Sequence, residues 1–287
     1  MVFHPLRAPI AGMRVSLPLA PLIDTHCHLD AAEFDADRDE VFAAAKLGAG
    51  GTAVEVVVIP AVERANFGAV ASVCREYPGC APAYGIHPLY VDRARPEDLD
   101  ALRDSLQREP AVAVGEIGLD RHVEPRDDAR QRFYFVEQLK IAAEFGLPVL
   151  LHVRRAIDPI LKALREVPVP GGIAHAFNGS REQAEQLIKL GFKLGFGGAM
   201  TFPGSKRIRE LAASLPLETI VLETDAPDIP PAWKAGGRNT PADLVPIAET
   251  LAQLRGMPLT EIAAVTRGNA LAILPRLENF ITHGEHP

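Results

Sequence analysis

Eight short runs rich in apolar and β-branched residues alternate along this chain with longer segments of helical period, and no other feature narrows its fold so far. The runs are Leu22 to Leu29, Ala53 to Pro60, Pro82 to Pro88, Ala111 to Asp120, Leu147 to Arg154, Gly171 to Phe177, Phe192 to Ala199 and Ile220 to Pro227. Between them lie amphipathic stretches such as Arg126 to Phe145, which Gly146 and Pro148 close as a helix stop followed by a strand. Gly50, Gly191 and Pro216 repeat that punctuation. A strict β-then-α order builds a parallel sheet. Eight such units in 287 residues fit a (β/α)8 TIM barrel of the α/β class better than a doubly wound open sheet. The last helical segments, around Thr240 to Leu254 and Leu259 to Leu274, then close the barrel.

The chain is 47% hydrophobic and 23% charged, which excludes a disordered or collagen-like polymer and leaves an ordinary globular protein. Its length would allow two domains, but α/β barrels of about 250 residues are single domains. No repeat, low-complexity tract or Gly/Ser linker divides it, so one domain is expected over 21–277. A loosely ordered extension at 1–20 would precede it and a frayed tail at 278–287 would follow. Met13 stands just before the first run, so the residues ahead of it are either that extension or the product of an early start codon. No run approaches the ~20 apolar residues of a membrane span. The extension, with Arg7, Arg14 and three prolines, lacks the apolar stretch of a secretory signal. Three cysteines without paired spacing suit a reducing compartment, so a cytoplasmic monomer without membrane contact or an obligate protein partner is expected. The formal net charge of −7 provides no global field for polyanions, and any contact with nucleic acid must be local.

His26 and His28 flank Cys27 at the end of the first run, and the strand period of two sends both imidazoles to one face and the thiol to the other. A His-x-His pair alone also satisfies a strand end. Four further residues change that reading: Glu116 near the end of the fourth run, His152 of the fifth, His175 of the sixth and Asp225 of the eighth. All would converge at the C-terminal mouth, where barrel active sites lie. Three such donors hold one catalytic zinc, so six point to two ions. Two ions about 3.5–4 Å apart can share a carboxylate, activate water and clamp the oxygens of an in-line displacement. Glu116, central in strand order, is the expected bridge. His26, His28, Glu116 and Asp225 would hold one ion, and Glu116, His152 and His175 the other. Asp225 could also accept the nucleophile's proton. Mixed imidazole and carboxylate donors admit zinc, manganese, iron or nickel, and magnesium only with several waters retained; the ligand chemistry leans toward zinc or manganese.

At these residues the chain resembles the TatD family of metal-dependent deoxyribonucleases, within the amidohydrolase-like barrels, from about Leu22 to Leu274. The matching motifs are Ile23-Asp24-Thr25-His26-Cys27-His28-Leu29, Gly85-Ile86-His87-Pro88, Gly115-Glu116-Ile117-Gly118-Leu119-Asp120, Leu150-Leu151-His152, His175-Ala176-Phe177-Asn178-Gly179 and Leu222-Glu223-Thr224-Asp225-Ala226-Pro227. The resemblance implies a divalent-metal phosphodiesterase acting on DNA, in some members as a 3′-to-5′ exonuclease. It implies the six ligands in the roles above and His87 facing the phosphate. Single-stranded DNA or a free 3′ end is the leading substrate. Glu116, Asp225 and His87 would form the catalytic set.

His87 also has a case of its own, because it ends the third run at the same mouth and is held by Pro88. As an imidazolium it would donate to a non-bridging or leaving oxygen; the plainer reading is a satisfied surface histidine. Asp24 could hydrogen-bond a ligand imidazole from below or act as a cap. Two positions depart from the family's habit. Arg121-His122 follow Asp120 where an aromatic is common, so Arg121 would stack on a base or pair a phosphate, or else stay solvated. Val153-Arg154-Arg155 follow His152 where a hydroxyl residue is common, which leaves Arg154 as a substrate-binding candidate and the ligand unaffected. Lys206, Arg207 and Arg209 could add positive charge or form a solvated helix face. Trp233 would either stack on a base or cover the barrel edge. The rival activity is an amidohydrolase acting on a small ester, lactone or amide. Many such enzymes bridge their metals with a carbamylated lysine at the end of strand four, and no lysine lies between Ala111 and His122.

Overall fold

The structure, a computed structural model, describes residues 20–48 and 52–281. Eight strands run β1 Leu22–Asp24, β2 Val54–Pro60, β3 Cys80–Tyr84, β4 Ala113–Asp120, β5 Val149–Arg154, β6 Gly172–Ala174, β7 Phe192–Phe196 and β8 Ile220–Leu222. They pair in parallel in sequence order from β1 to β8. Thr25 closes the sheet into a barrel: its backbone N–H and its hydroxyl both donate to the Leu222 carbonyl, at 3.1 and 3.0 Å. The expected (β/α)8 barrel is thus the observed fold.

Nine helices wrap the described barrel: α1 Arg38–Leu47, α2 Phe67–Glu76, α3 Glu97–Arg108, α4 Asp128–Phe145, α5 Ile157–Glu166, α6 Arg181–Lys189, α7 Lys206–Ser214, α8 Leu244–Arg255 and α9 Leu259–Ile273. Their ends follow sequence chemistry. The Asp127 carboxylate accepts from Arg130 N–H at the start of α4, and Gly146 takes the left-handed φ of 60° that ends it. Ser180 and Gln183 form a reciprocal capping box at α6.

Strand alternation sorts the core. Val56, Val58, Ala81, Ala83, Leu150 and Ile173 fill the barrel interior, while Val57 and Ile59 pack outward against the helices. The expected fraying after Leu277 does not begin there. Pro275–Phe280 forms a 3-10 turn under the barrel floor, where Leu274 and Leu277 are buried and Phe280 and Ile281 pack against them. The extension over residues 1–19 and the end of the tail at 282–287 lie outside the described residues.

Most ladders are shorter than the sequence runs because each chain leaves its ladder at the mouth while staying extended. After β1, Cys27 N–H donates to Val58 O on one side and His28 N–H to Ala226 O on the other. That divided pairing carries His26 and His28 to the mouth, while Cys27 and Leu29 between and after them pack into the core.

Candidate active site

All six predicted donors meet at the C-terminal mouth, and the Glu116 carboxylate divides them into two groups. Its Oε2 lies 3.1 Å from His26 Nε2 and 3.6 Å from His28 Nε2, and Asp225 Oδ1 lies 3.6 and 3.7 Å from the same two nitrogens. Its Oε1 faces His152 Nδ1 at 2.9 Å, His175 Nε2 at 3.1 Å and His87 Nε2 at 3.6 Å. Cys27 points away into the core, as the strand period required.

These spacings suit metal ions. Two ligands at about 2.1 Å from one tetrahedral ion lie ~3.4 Å apart, close to the separations observed around each Glu116 oxygen. The donors are oxygen and imidazole nitrogen, the set that divalent transition metals take. Three sets of donors each lie close enough together to share an ion: His26 with Glu116 and His175, His26 with His28 and Asp225, and His87 with Glu116 and His152.

The imidazoles and carboxylates of the cluster shift one another's ionisation. Burial opposes ionisation of Glu116, but His87, His175 and His26 hold its carboxyl well below the usual range. Burial also opposes charge on His175 and His152, yet Glu116 and Asp225 raise the first, and hydrogen bonds to Asp120 and Glu116 raise the second. His26 is pushed down by burial and by His175, whose ring stacks on it at 3.9 Å.

His87 corrects one expectation. Its Nδ1 accepts from Leu89 N–H at 3.1 Å, so the proton sits on Nε2, which faces the site. Burial, together with the neighbouring His152, His28 and His175, pushes its pKa down to about 3, so it is a neutral donor and not an imidazolium. Asp24 corrects another. It touches no imidazole ring: Oδ1 accepts from the backbone N–H groups of His26 and Thr224, and Oδ2 from the Thr224 hydroxyl at 2.6 Å. It fastens the His26 strand to the Asp225 strand.

Two carboxylates without an assigned role in the sequence reading stand directly behind the ligand imidazoles. Asp120 Oδ2 accepts from His152 Nε2 at 2.9 Å, while its Oδ1 accepts from His122 N–H and Val123 N–H. Glu223 Oε1 accepts from Ala176 N–H at 2.5 Å and lies 3.6 Å from His175 Nδ1. Gly195 makes room for it, since a Cβ there would come within 2.1 Å of Glu223 Oε2. The period of two could have found both, because Asp120 shares a face with Glu116, and Glu223 with Asp225. Asp225, Ala176 and Arg155 adopt left-handed φ values of 59°, 45° and 54°, conformations that cost of order 1–3 kcal/mol each in non-glycine residues and cluster at functional sites.

A cavity of about 1620 Å³ opens above the cluster. Arg154 and Arg121 both line it; Arg121 lies 3.5 Å from Asp128 on the exposed rim, whereas Arg154 makes no ion pair among the described residues. Of the α7 cations, Arg207 reaches the cavity and donates to Asn178, whereas Arg209 is spent on the Met200 carbonyl. Trp233 is half exposed on its loop, with its indole N–H donating to Asp243 at 3.0 Å.

An eight-stranded barrel with this histidine and carboxylate cluster at its C-terminal mouth defines a metal-dependent hydrolase. Comparison with known proteins gives the family. The TatD related DNase profile matches residues 23–275, and the chain belongs to that family. It is 38% identical over 255 residues to the Escherichia coli metal-dependent hydrolase YjjV, covering 88% of this chain and 96% of that one. Human deoxyribonuclease TATDN3 is 31% identical over 277 residues, covering 91% and 97%. The YjjV crystal structure superposes with a TM-score of 0.84 at 36% identity, covering 88% of this chain and 98% of that one. No described helix is long and apolar enough to cross a membrane.

Proposed function

We propose that this hydrolase is a deoxyribonuclease of the 3′-to-5′ exonuclease type, with two divalent ions, zinc or manganese before magnesium, bridged by Glu116. One observation carries the reading: the two oxygens of Glu116 face two different donor groups at bonding separations. His26, His28, Glu116 and Asp225 would hold the first ion, and Glu116, His152 and His175 the second. When bound, the ions would polarise the scissile phosphate and make water acidic enough to attack at neutral pH.

The chain's own residues supply the rest. The Asp225 carboxylate, which lines the cavity, would take the proton of the attacking water. His87 offers its Nε2–H to a non-bridging or leaving oxygen, and neutrality lets it donate without competing with Glu116 for a charge. Arg154 and Arg121 contact phosphates further along the strand, giving the local positive charge that the acidic whole lacks. The barrel over 21–277 acts as one domain and a monomer. Three free thiols support a cytoplasmic setting.

The test is metal-reconstituted protein acting on single-stranded DNA labelled at either end, with and without chelator, beside a panel of p-nitrophenyl phosphodiesters and carboxylic esters. Chelator-sensitive shortening from the 3′ end, with two equivalents of metal per chain by mass spectrometry, is expected. Intact DNA with turnover of a carboxylic ester would transfer the site to the amidohydrolase reading.

A further inference from the structure

Five large apolar side chains are exposed among the described residues, Leu47, Leu89, Val123, Phe133 and Trp233, and of these only Leu89 lines the cavity above the Glu116 cluster. Single apolar side chains on an outer surface are ordinary. Leu89, 43% exposed, differs because His87 holds it in place. It lies in the 3-10 turn Pro88–Tyr90 that His87 caps, and its N–H donates to His87 Nδ1 at 3.1 Å. Tyr90 N–H donates to the His87 carbonyl at 2.9 Å. The Tyr90 ring meets the imidazole edge-on at 6.0 Å and carries the Arg93 guanidinium 4.7 Å from its centre. The loop after β2 is tied to the same turn: His87 N–H donates to the Val62 carbonyl, and Asn66 Oδ1 accepts from the N–H groups of Val62 and Glu63. Val62 and Tyr90 line the cavity as well. The result is an apolar ledge beside His87, fixed by hydrogen bonds in a cavity whose floor is imidazole and carboxylate.

His87 Nε2 faces Glu116 Oε1 at 3.6 Å, the place proposed above for the phosphate. Two residues of chain reach at most about 7 Å, so the ledge stands roughly one nucleoside away from a phosphate held there. A sugar or a phosphate gains nothing from an apolar side chain, whereas the flat face of a nucleobase does. Every base has such a face, so a ledge of this kind takes a base without reading its identity. We propose that Leu89 is the surface on which the base of a nucleoside esterified to the scissile phosphate rests, and that it makes the site prefer nucleotide esters to phosphodiesters without a base. This rests on the deoxyribonuclease reading and adds to it a specificity-determining residue that touches no reacting atom.

The experiment compares metal-loaded wild-type protein with Leu89→Ser and Leu89→Phe on the p-nitrophenyl esters of thymidine 5′-monophosphate and thymidine 3′-monophosphate. Methyl p-nitrophenyl phosphate, with the same leaving group and no base, is the reference. Both variants keep the backbone N–H that His87 accepts. Burying a whole leucine changes an equilibrium about 10- to 100-fold, and about half of this one is left to cover. Leu89→Ser is therefore expected to raise KM about fivefold on at least one nucleotide ester, and the ratio of its kcat/KM to that of the methyl ester should fall by the same factor. Leu89→Phe should bring KM to the wild-type value or below it. In Leu89→Trp the indole emission, corrected for Trp233, should change on adding thymidine monophosphate and not on adding inorganic phosphate. Ratios unchanged in Leu89→Ser, with the nucleotide esters still cut, would overturn the proposal and leave the deoxyribonuclease reading standing. An equal loss on all three esters would overturn it as well, assigning Leu89 to the support of His87 alone. Intact DNA and intact nucleotide esters, with the methyl ester cut, would overturn both.

Discussion

Replacing Asp120 by asparagine tests whether the site depends on a single proton position. Asp120 Oδ1 accepts from His122 N–H at 2.7 Å and Val123 N–H at 3.2 Å, and Oδ2 accepts from His152 Nε2 at 2.9 Å. A carboxylate can accept on both sides, but an amide has one oxygen and one NH2. Two backbone donors hold the oxygen, so the NH2 must face His152 Nε2. That nitrogen must then become the acceptor, and the ring proton moves to Nδ1, which faces Glu116 Oε1 and the second proposed ion. The nitrogen that should ligate is blocked by its own proton. Loss of a partner behind a metal-bound histidine weakens metal binding or activity about 10- to 100-fold, and loss of a hydrogen bond to a charged group costs about 1.5–3 kcal/mol of stability. The Asp120→Asn protein should therefore stay folded, with a modestly lower melting point, and bind one of the two proposed metals 10- to 100-fold more weakly in calorimetric titration. Asp120→Glu should recover part of the loss if its carboxylate reaches the ring. Two undiminished binding events in the asparagine variant would refute the tautomer argument.

Three further outcomes follow from the same geometry. His175 and His152 hold their protons above the ordinary histidine value in the metal-free protein, an interaction that stabilises the fold below about pH 6.5 and is lost as pH rises through the elevated values. Metal loading must expel those protons, so apparent affinity should rise with pH, about tenfold per pH unit for each proton released, as calorimetry in buffers of different ionisation enthalpy would show. Gly195→Ala places a Cβ against Glu223 and should cost about 1–3 kcal/mol in denaturant unfolding, with weaker metal binding because Glu223 is displaced from Ala176 and His175. Burial pushes the Cys80 thiol up to about 12 and holds that of Cys27 well above its ordinary value, so a thiol reagent at pH 8 should leave both untouched in the native protein and label them after unfolding. Rapid native labelling of either would contradict their packing.

The residues that sequence reading found first are those whose function requires a strand end. His26, His28, Glu116, His152, His175 and Asp225 each terminate an apolar run, and the barrel converts eight separate ends into one mouth, so period and punctuation suffice to bring them together. Asp120 and Glu223 share those ends and that period, but their chemistry lies in which nitrogen they face, a quantity with no counterpart in spacing. The same holds for His87. Its position after β3 was legible, whereas its neutrality depends on burial among three other imidazoles and on the Leu89 amide that fixes its tautomer. The first strand looked longer in sequence because residues 25–29 continue its alternation past the ladder. Their hydrogen bonds, however, are shared between β2 and the segment after β8, and a ladder with divided partners ends early. That division is what the site needs: a strand bonded to one neighbour alone would hold His26 and His28 at its own edge, while one bonded to both is drawn over the axis, where a single carboxylate from β4 reaches the imidazoles of β1, β5 and β6.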